Sequence, residues 1–143
     1  IWQAAQWSGM RLKFWVDEQE VEGQYILAVA TNIRHYMGGY SNLSPDAYID
    51  DGLLDIWLFS GKNLGDALRH AYDLWRGNHI TSDAARRITF SSLRVETDSP
   101  FWLQTDGEPR GSSKTAEITV QKRALKMLMP PRGMELLKEN KNE

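Results

Sequence analysis

The stretch Pro45-Asp46-Ala47-Tyr48-Ile49-Asp50-Asp51-Gly52-Leu53-Leu54-Asp55 sets acidic and turn-forming residues ahead of an apolar run that continues to Phe59. Glycine supplies positive φ and aspartate tolerates it, so the plain reading is a loop that tightens at Asp51-Gly52 and launches a buried strand. The other reading is chemical: the carboxylates hold a hard cation while the strand anchors them. A second acidic loop, Gln104-Thr105-Asp106-Gly107-Glu108-Pro109, again lies between apolar stretches. It is either a solvated hairpin tip or a pair of carboxylates, one of which works as a general base.

Upstream of the first loop, Arg11–Asp17 alternates, with Leu12, Phe14 and Val16 on one side. That period of two marks a half-buried strand, and Asp17-Glu18-Gln19-Glu20 follows as a polar turn. Tyr25–Thr31 is apolar on both faces and reads as a central strand ending at Asn32. Gly38-Gly39 then marks a loop where backbone can approach a ligand closely.

Downstream, Ser60-Gly61 ends the strand and the period changes. Leu64, Ala67, Leu68, Ala71, Tyr72 and Trp75 recur at helical spacing, with Asp66, Arg69, His70 and Asp73 mostly opposite. This predicts a helix capped by Asn63 and Gly77, its Trp75 stripe in the core. His70 then belongs on the solvated face, and His79 in a loop. From Arg87 the period returns to two. Strand pieces fall at Ile88–Phe90, Leu93–Val95, Phe101–Leu103, Glu117–Gln121 and Ala124–Met129. Pro130-Pro131 stops the last, and Gly133–Asn140 suits a short terminal helix. The expected fold is mainly β: a β-sandwich of antiparallel strands with one inserted α-helix and a short C-terminal helix.

Length and composition narrow the function. At 143 residues the chain is one domain, and 41% hydrophobic with 25% charged residues describes an ordinary globule. A net charge of −2 argues against a nucleic-acid partner. Cysteine is absent and histidines number only three, so zinc is a poor candidate and an oxygen-ligated Mg²⁺ a better one. No signal peptide is visible and no apolar run is long enough to span a bilayer, so membrane contact is expected to be peripheral; the expected location is cytoplasmic. There is no GxxxxGK[ST] or GxGxxG phosphate loop. The first residue is Ile1 rather than methionine, which suggests a piece of something longer.

The order of the motifs is more telling than any one of them. Asn32, Gly38-Gly39, Pro45-x-Ala47, Asp50-Asp51-Gly52-Leu53-Leu54-Asp55, Gly77-Asn78-His79 and Gln104-x-Asp106-Gly107-Glu108 together resemble the C-terminal domain of bacterial diacylglycerol-kinase-like lipid kinases. These belong with sphingosine and ceramide kinases and, more distantly, NAD kinases. The resemblance covers about Leu12–Met129.

It implies phosphoryl transfer from ATP to the hydroxyl of diacylglycerol or a similar lipid at the membrane surface. It also implies a structural Mg²⁺ held by the Asp51 carboxylate and the carbonyls of Tyr48 and Leu53. Glu108 matches the general base, with Asp106 beside it, and Asn32, Gly38 and Gly39 would lie near the cleft toward the nucleotide. Relatives often carry three glycines where this chain has Met37-Gly38-Gly39. The Gly-Asp-Gly-Thr motif of the ATP-binding N-terminal domain is absent, so that domain is the expected partner and this chain alone is expected to be inactive. Apolar surface facing it would favour a homo-oligomer. A kinase acting on a sphingoid lipid or NAD, and a non-catalytic β-sandwich binding module, are the competing readings.

Overall fold

The computed structural model describes residues 9–36 and 41–126, together with 128, 130, 131, 133 and 137. The alternating segment forms β1 (Met10–Val16), which turns through Asp17 and Glu18, both at positive φ, into β2 (Gln19–Thr31). A short ribbon, β3 (His35–Tyr36) and β4 (Ser41–Asn42), leads into the acidic loop and then β5 (Leu54–Ser60). Helix α1 (Leu64–Arg76) and a 3-10 turn (Asn78–Thr81) precede β6 (Ala85–Phe90), β7 (Ser92–Thr105) and β8 (Glu108–Thr119).

The main sheet has six strands in the order β6-β5-β2-β1-β7-β8, every neighbouring pair antiparallel. Strands β6 and β7 stand four places apart, roughly 19 Å in a flat sheet. Yet only Ser91 joins them, and the Cα atoms on either side of one residue are at most about 7 Å apart. The sheet must therefore roll over, so the two layers of the sandwich are halves of one continuous sheet. Between them lie Leu12, Phe14, Val16, Tyr25, Ile56, Leu58, Phe90, Leu93 and Val95.

Asp17 clasps the rolled edge. Its Oδ1 accepts from Ser91 N at 3.0 Å, Ser92 N at 2.8 Å and Ser91 Oγ at 2.8 Å. Desolvation pushes the Asp17 carboxyl up, but the hydrogen bonds from Ser91 and Ser92 together outweigh it and hold it below its ordinary 3.8. A carboxylate lowered on folding stabilises above its unfolded value and loses that contribution as pH falls through the folded one. Asp17→Asn keeps a side chain tolerant of φ 44° and is expected to cost about 1 kcal/mol near neutrality, modest because the site is exposed. In urea titrations the gap between the two proteins should close below about pH 4; a gap constant with pH would remove the carboxylate from this role.

Several expectations are corrected. The two pieces Leu93–Val95 and Phe101–Leu103 are one strand, β7, whose pairing with β8 is irregular between Glu96 and Phe101, around Pro100. Of Glu117–Gln121 only Glu117–Thr119 is strand, the end of the long β8, and Ala124–Lys126 is not a strand. The terminal helix expected over Gly133–Asn140 falls largely outside the described residues, as does Gly38-Gly39.

The helix is rotated from its expected face. Its caps are as read: Asn63 Oδ1 accepts from Asp66 N at 3.1 Å, and Gly77 has φ 75°. But His70 and His79 are buried, whereas Leu68, Tyr72 and Trp75 are 64%, 54% and 66% exposed. The reason lies in the sheet beneath, where Trp57 and Phe59 point outward from β5 and pack with Leu43. His79 meets Trp57 edge-on at 4.9 Å and His70 meets Phe59 at 5.2 Å. Their Nε2 atoms reach Leu43 O at 3.2 Å and Ser60 O at 2.7 Å. Asp66 fixes the rotation further, accepting from Lys62 N at 2.8 Å. A Cβ on Gly61 would stand 2.7 Å from that of Asp66.

Candidate functional site

The acidic loop is held on all sides. Trp57 Nε1 donates to Ser44 Oγ at 2.8 Å, and Arg34 Nε donates to Ala47 O at 3.0 Å while its guanidinium lies 5.1 Å from the Tyr48 ring. Asp51 Oδ1 accepts from Leu53 N at 3.0 Å, and Gly52 takes φ 81°, so the tight turn at Asp51-Gly52 is real. Lys122 packs over that turn, where a Cβ on Gly52 would be 3.1 Å from its own.

Beneath the turn is a small pocket of about 30 Å³ lined by Asn32, Tyr48, Asp51, Leu53, Asp55 and Arg87, among others. The structure thus brings four of the predicted site residues, Asn32, Tyr48, Asp51 and Leu53, to one place. The volume suits a single ion or water. Among the described residues no three acidic or histidine side chains are grouped so that they could hold a metal ion between them. One carboxylate beside loop backbone carbonyls is nevertheless a donor set that fits Mg²⁺, which keeps most of its waters.

Asp55, which sequence reasoning passed over, forms part of the pocket wall. It is 3% exposed and accepts from Thr89 Oγ1 at 2.8 Å. Arg87 Nε lies 3.1 Å from Asp55 Oδ2, off the hydrogen-bond direction, and Arg87 Nη1 also reaches Asp46 at 3.4 Å. Arg87 therefore links the loop to the strand beneath it, offsetting a charge that would otherwise be costly to bury. A carboxylate inside an apolar run was the available signal; its partner, 32 residues downstream, was not readable from that run.

A much larger opening lies between the sheet halves. β1 pairs with β2 only as far as Tyr25, and with β7 only through Glu96. Beyond those points β2 and β7 run on with no strand between them among the described residues. The result is a groove of about 680 Å³. It explains why β2, expected to be buried on both faces, leaves Leu27, Ala28 and Ala30 exposed. Its inner wall is apolar, including Leu12, Phe14, Ile56, Val95 and Ile118. Its charged and amide side chains are Asp106 and Gln104 at one end, where Thr105 between them adds a hydroxyl, and Tyr25 and Trp102 are the aromatic lining residues with a polar atom.

That end is the second acidic loop. Asp106 at φ 50° and Gly107 at φ 87° make a two-residue turn closed by the Thr105–Glu108 pair, as the Asp-Gly step predicts. Asp106 lines the groove, whereas Glu108 opens β8 as an exposed residue outside the groove lining. Leu54 lines both groove and small pocket, so the two sites adjoin at the start of β5.

Residues 1–129 match the family described as the YegS C-terminal NAD kinase beta sandwich-like domain. The chain is 26% identical over 121 residues to the diacylglycerol kinase of Bacillus subtilis, covering 85% of this chain and 39% of that protein. It is 28% identical over 116 residues to a YegS-like lipid kinase of Alcanivorax borkumensis, covering 80% and 38%. It therefore spans about two fifths of the length of these relatives. A solved Bacillus anthracis structure aligns with a TM-score of 0.72 at 21% identity, covering 92% of this chain and 42% of that one. Another, a diacylglycerol kinase of the same organism, aligns at 0.66 with 18% identity, covering 92% and 47%. At such identities the structures speak for the fold alone. The sequence match over most of its length carries the assignment: this chain belongs to the YegS C-terminal family of NAD-kinase-like β-sandwich domains.

Proposed function

We propose that this domain is the acceptor side of a lipid kinase that transfers the γ-phosphoryl of ATP to the hydroxyl of diacylglycerol or a similar lipid. The observation that carries the reading is the groove, whose apolar length ends in three consecutive polar residues. An amphipathic acceptor fits that gradient, with its chains along Leu27, Ala28, Ala30 and Ile118 and its hydroxyl beside Asp106. NAD would ask for polar contacts to adenine and ribose along the groove, whose lining is mostly aliphatic and aromatic. The kinase names of the relatives support the same class.

In this reading ATP is held by a separate nucleotide-binding domain, and the reaction is mostly positioning. The groove orients the lipid hydroxyl at the hairpin end and keeps water from the chains. Glu108 takes the hydroxyl proton as the oxygen–phosphorus bond forms and ADP departs, and Asp106 supports it. Asp51 and the carbonyls of Tyr48 and Leu53 would hold Mg²⁺, a divalent charge that braces the loop beside the groove. Asn32 lines the same pocket.

Titrating dioctanoylglycerol into the 143-residue chain is expected to shift amide resonances of β2 and β7 along the groove. Ala28→Trp, which fills the groove from an exposed position, should weaken that binding by about tenfold or more, the scale of losing one well-buried alkyl segment. Phosphorylation of diacylglycerol by the chain joined to its nucleotide-binding domain should fall in parallel. Lipid binding unaffected by the tryptophan would remove the groove from this role.

A further inference from the structure

The face of α1 turned away from the sheet has no partner among the described residues. Projected down the axis at about 100° per residue, Leu64, Leu68, Ala71, Tyr72 and Trp75 form one strip. All five are exposed. Tyr72 and Trp75 lie side by side, ring centroids 6.1 Å apart. Large apolar side chains gathered on an exposed helix face mark an interaction surface.

The charges around the helix say what kind. Arg69 and Arg76 border the strip, both exposed and neither in an ion pair among the described residues. Asp66 and Asp73 lie beyond the arginines, toward the sheet, where both are partly buried. The Asp66 carboxylate is already engaged by Lys62 N. The order around the axis is thus apolar, cationic, acidic, buried. Two-fold pairing of this face with a second copy would set the Arg69–Arg76 border against a strip that carries no carboxylate. An anionic lipid surface offers negative charge to both arginines and an apolar layer to the strip, and tryptophan and tyrosine favour its headgroup level.

We infer that α1 docks this domain on an anionic bilayer, lying in the headgroup plane with Leu64, Leu68, Tyr72 and Trp75 inserted and Arg69 and Arg76 on lipid phosphates. This goes beyond the kinase reading and does not require it. The helix packs on the outer face of β5, around Trp57 and Phe59, whereas the groove opens on the inner face lined by Ile56. Docking through α1 therefore leaves the groove itself uncovered.

Flotation of the 143-residue chain with phosphatidylglycerol–phosphatidylcholine vesicles, against phosphatidylcholine alone, tests this. The anionic vesicles should bind about thirtyfold more tightly, the product of two arginines near an anionic surface. Arg69→Gln with Arg76→Gln should abolish that preference. Leu68→Ser, Tyr72→Ser and Trp75→Ser together should weaken binding to both vesicles by about tenfold or more, while Ala28→Trp in the groove should leave vesicle binding intact. Should the triple variant fail to fold, the arginine pair decides alone. Absence of binding, equal binding to both vesicles, binding indifferent to the arginine or serine changes, or binding lost with Ala28→Trp would overturn the inference. So would a vesicle-independent dimer that the serine substitutions dissociate, since the occupant would then be a second copy. A vesicle failure with dioctanoylglycerol binding preserved would leave the groove reading standing.

Discussion

Replacing Glu108 by glutamine in a protein joined to its nucleotide-binding domain is expected to lower kcat by about 10²–10⁴-fold, the range of a positioned general base. A lipid hydroxyl is a poor nucleophile near neutral pH, and glutamine cannot take its proton. The substitution is nearly isosteric, and the Thr105–Glu108 pairing that closes the hairpin is made by backbone, so the turn survives. ATP affinity and the thermal transition should therefore hold, which assigns the loss to the chemical step. Asp106→Asn should also slow turnover, but Asp106 sits at φ 50° on the groove wall, so it mixes turn geometry with lipid contact. Near-normal turnover in Glu108→Gln would return the loop to a solvated hairpin and favour the binding-module reading.

The largest loss of stability is expected at Phe14. It is 1% exposed, sits on the central strand β1, and meets Tyr25 edge-on at 5.7 Å between the two halves of the rolled sheet. Removing the ring takes away its transfer energy and leaves a cavity that strands on both sides cannot easily close. Phe14→Ala should cost about 3–5 kcal/mol, a large share of the roughly 5–15 kcal/mol that holds a typical domain. Phe14→Leu, which retains most of the volume, should cost clearly less. Urea unfolding followed by tryptophan fluorescence measures both. Equal and small losses would mean that the halves pack independently and that Phe14 is not their common contact.

Much of this was legible in the residues. Alternation over Arg11–Asp17 placed β1, the run to Phe59 placed β5, and the Asp-Gly steps placed both turns. The caps Asn63 and Gly77 bounded the helix to the residue. What failed was its orientation, because an apolar stripe at helical spacing usually faces a core. Here the outer face of β5 already carries two aromatic rings, and the carbonyls of Ser60 at its end and of Leu43 beside it receive imidazoles, which leucines could not replace. That preference is a tertiary fact with no signature in the helix itself. The groove was equally hidden, since Tyr25–Thr31 reads alike whether covered or open. Its exposure is decided by how far β1 extends alongside it. Of the candidate residues, Asn32, Tyr48, Asp51 and Leu53 converge on one pocket and Asp106 lies on the groove next to it. Their roles came from the order of motifs, because spacing alone leaves an acidic turn and a metal loop indistinguishable.

The pairing of β1 with β7, far along the chain, governs how the domain acquires its shape. Strands β1 and β2 are adjacent in sequence and form a local hairpin, but β1 also pairs with β7, with Lys13 opposite Glu96. That contact cannot exist until the intervening strands and helix have been made. Pairings so distant raise the contact order, and domains built on them fold in milliseconds to seconds rather than microseconds. During synthesis from the N-terminus, the second edge of β1 therefore stays open until β7 has emerged. For that interval a strand carrying Leu12, Phe14 and Val16 presents unpaired backbone to any other chain nearby, the situation in which nascent β proteins aggregate or exchange strands.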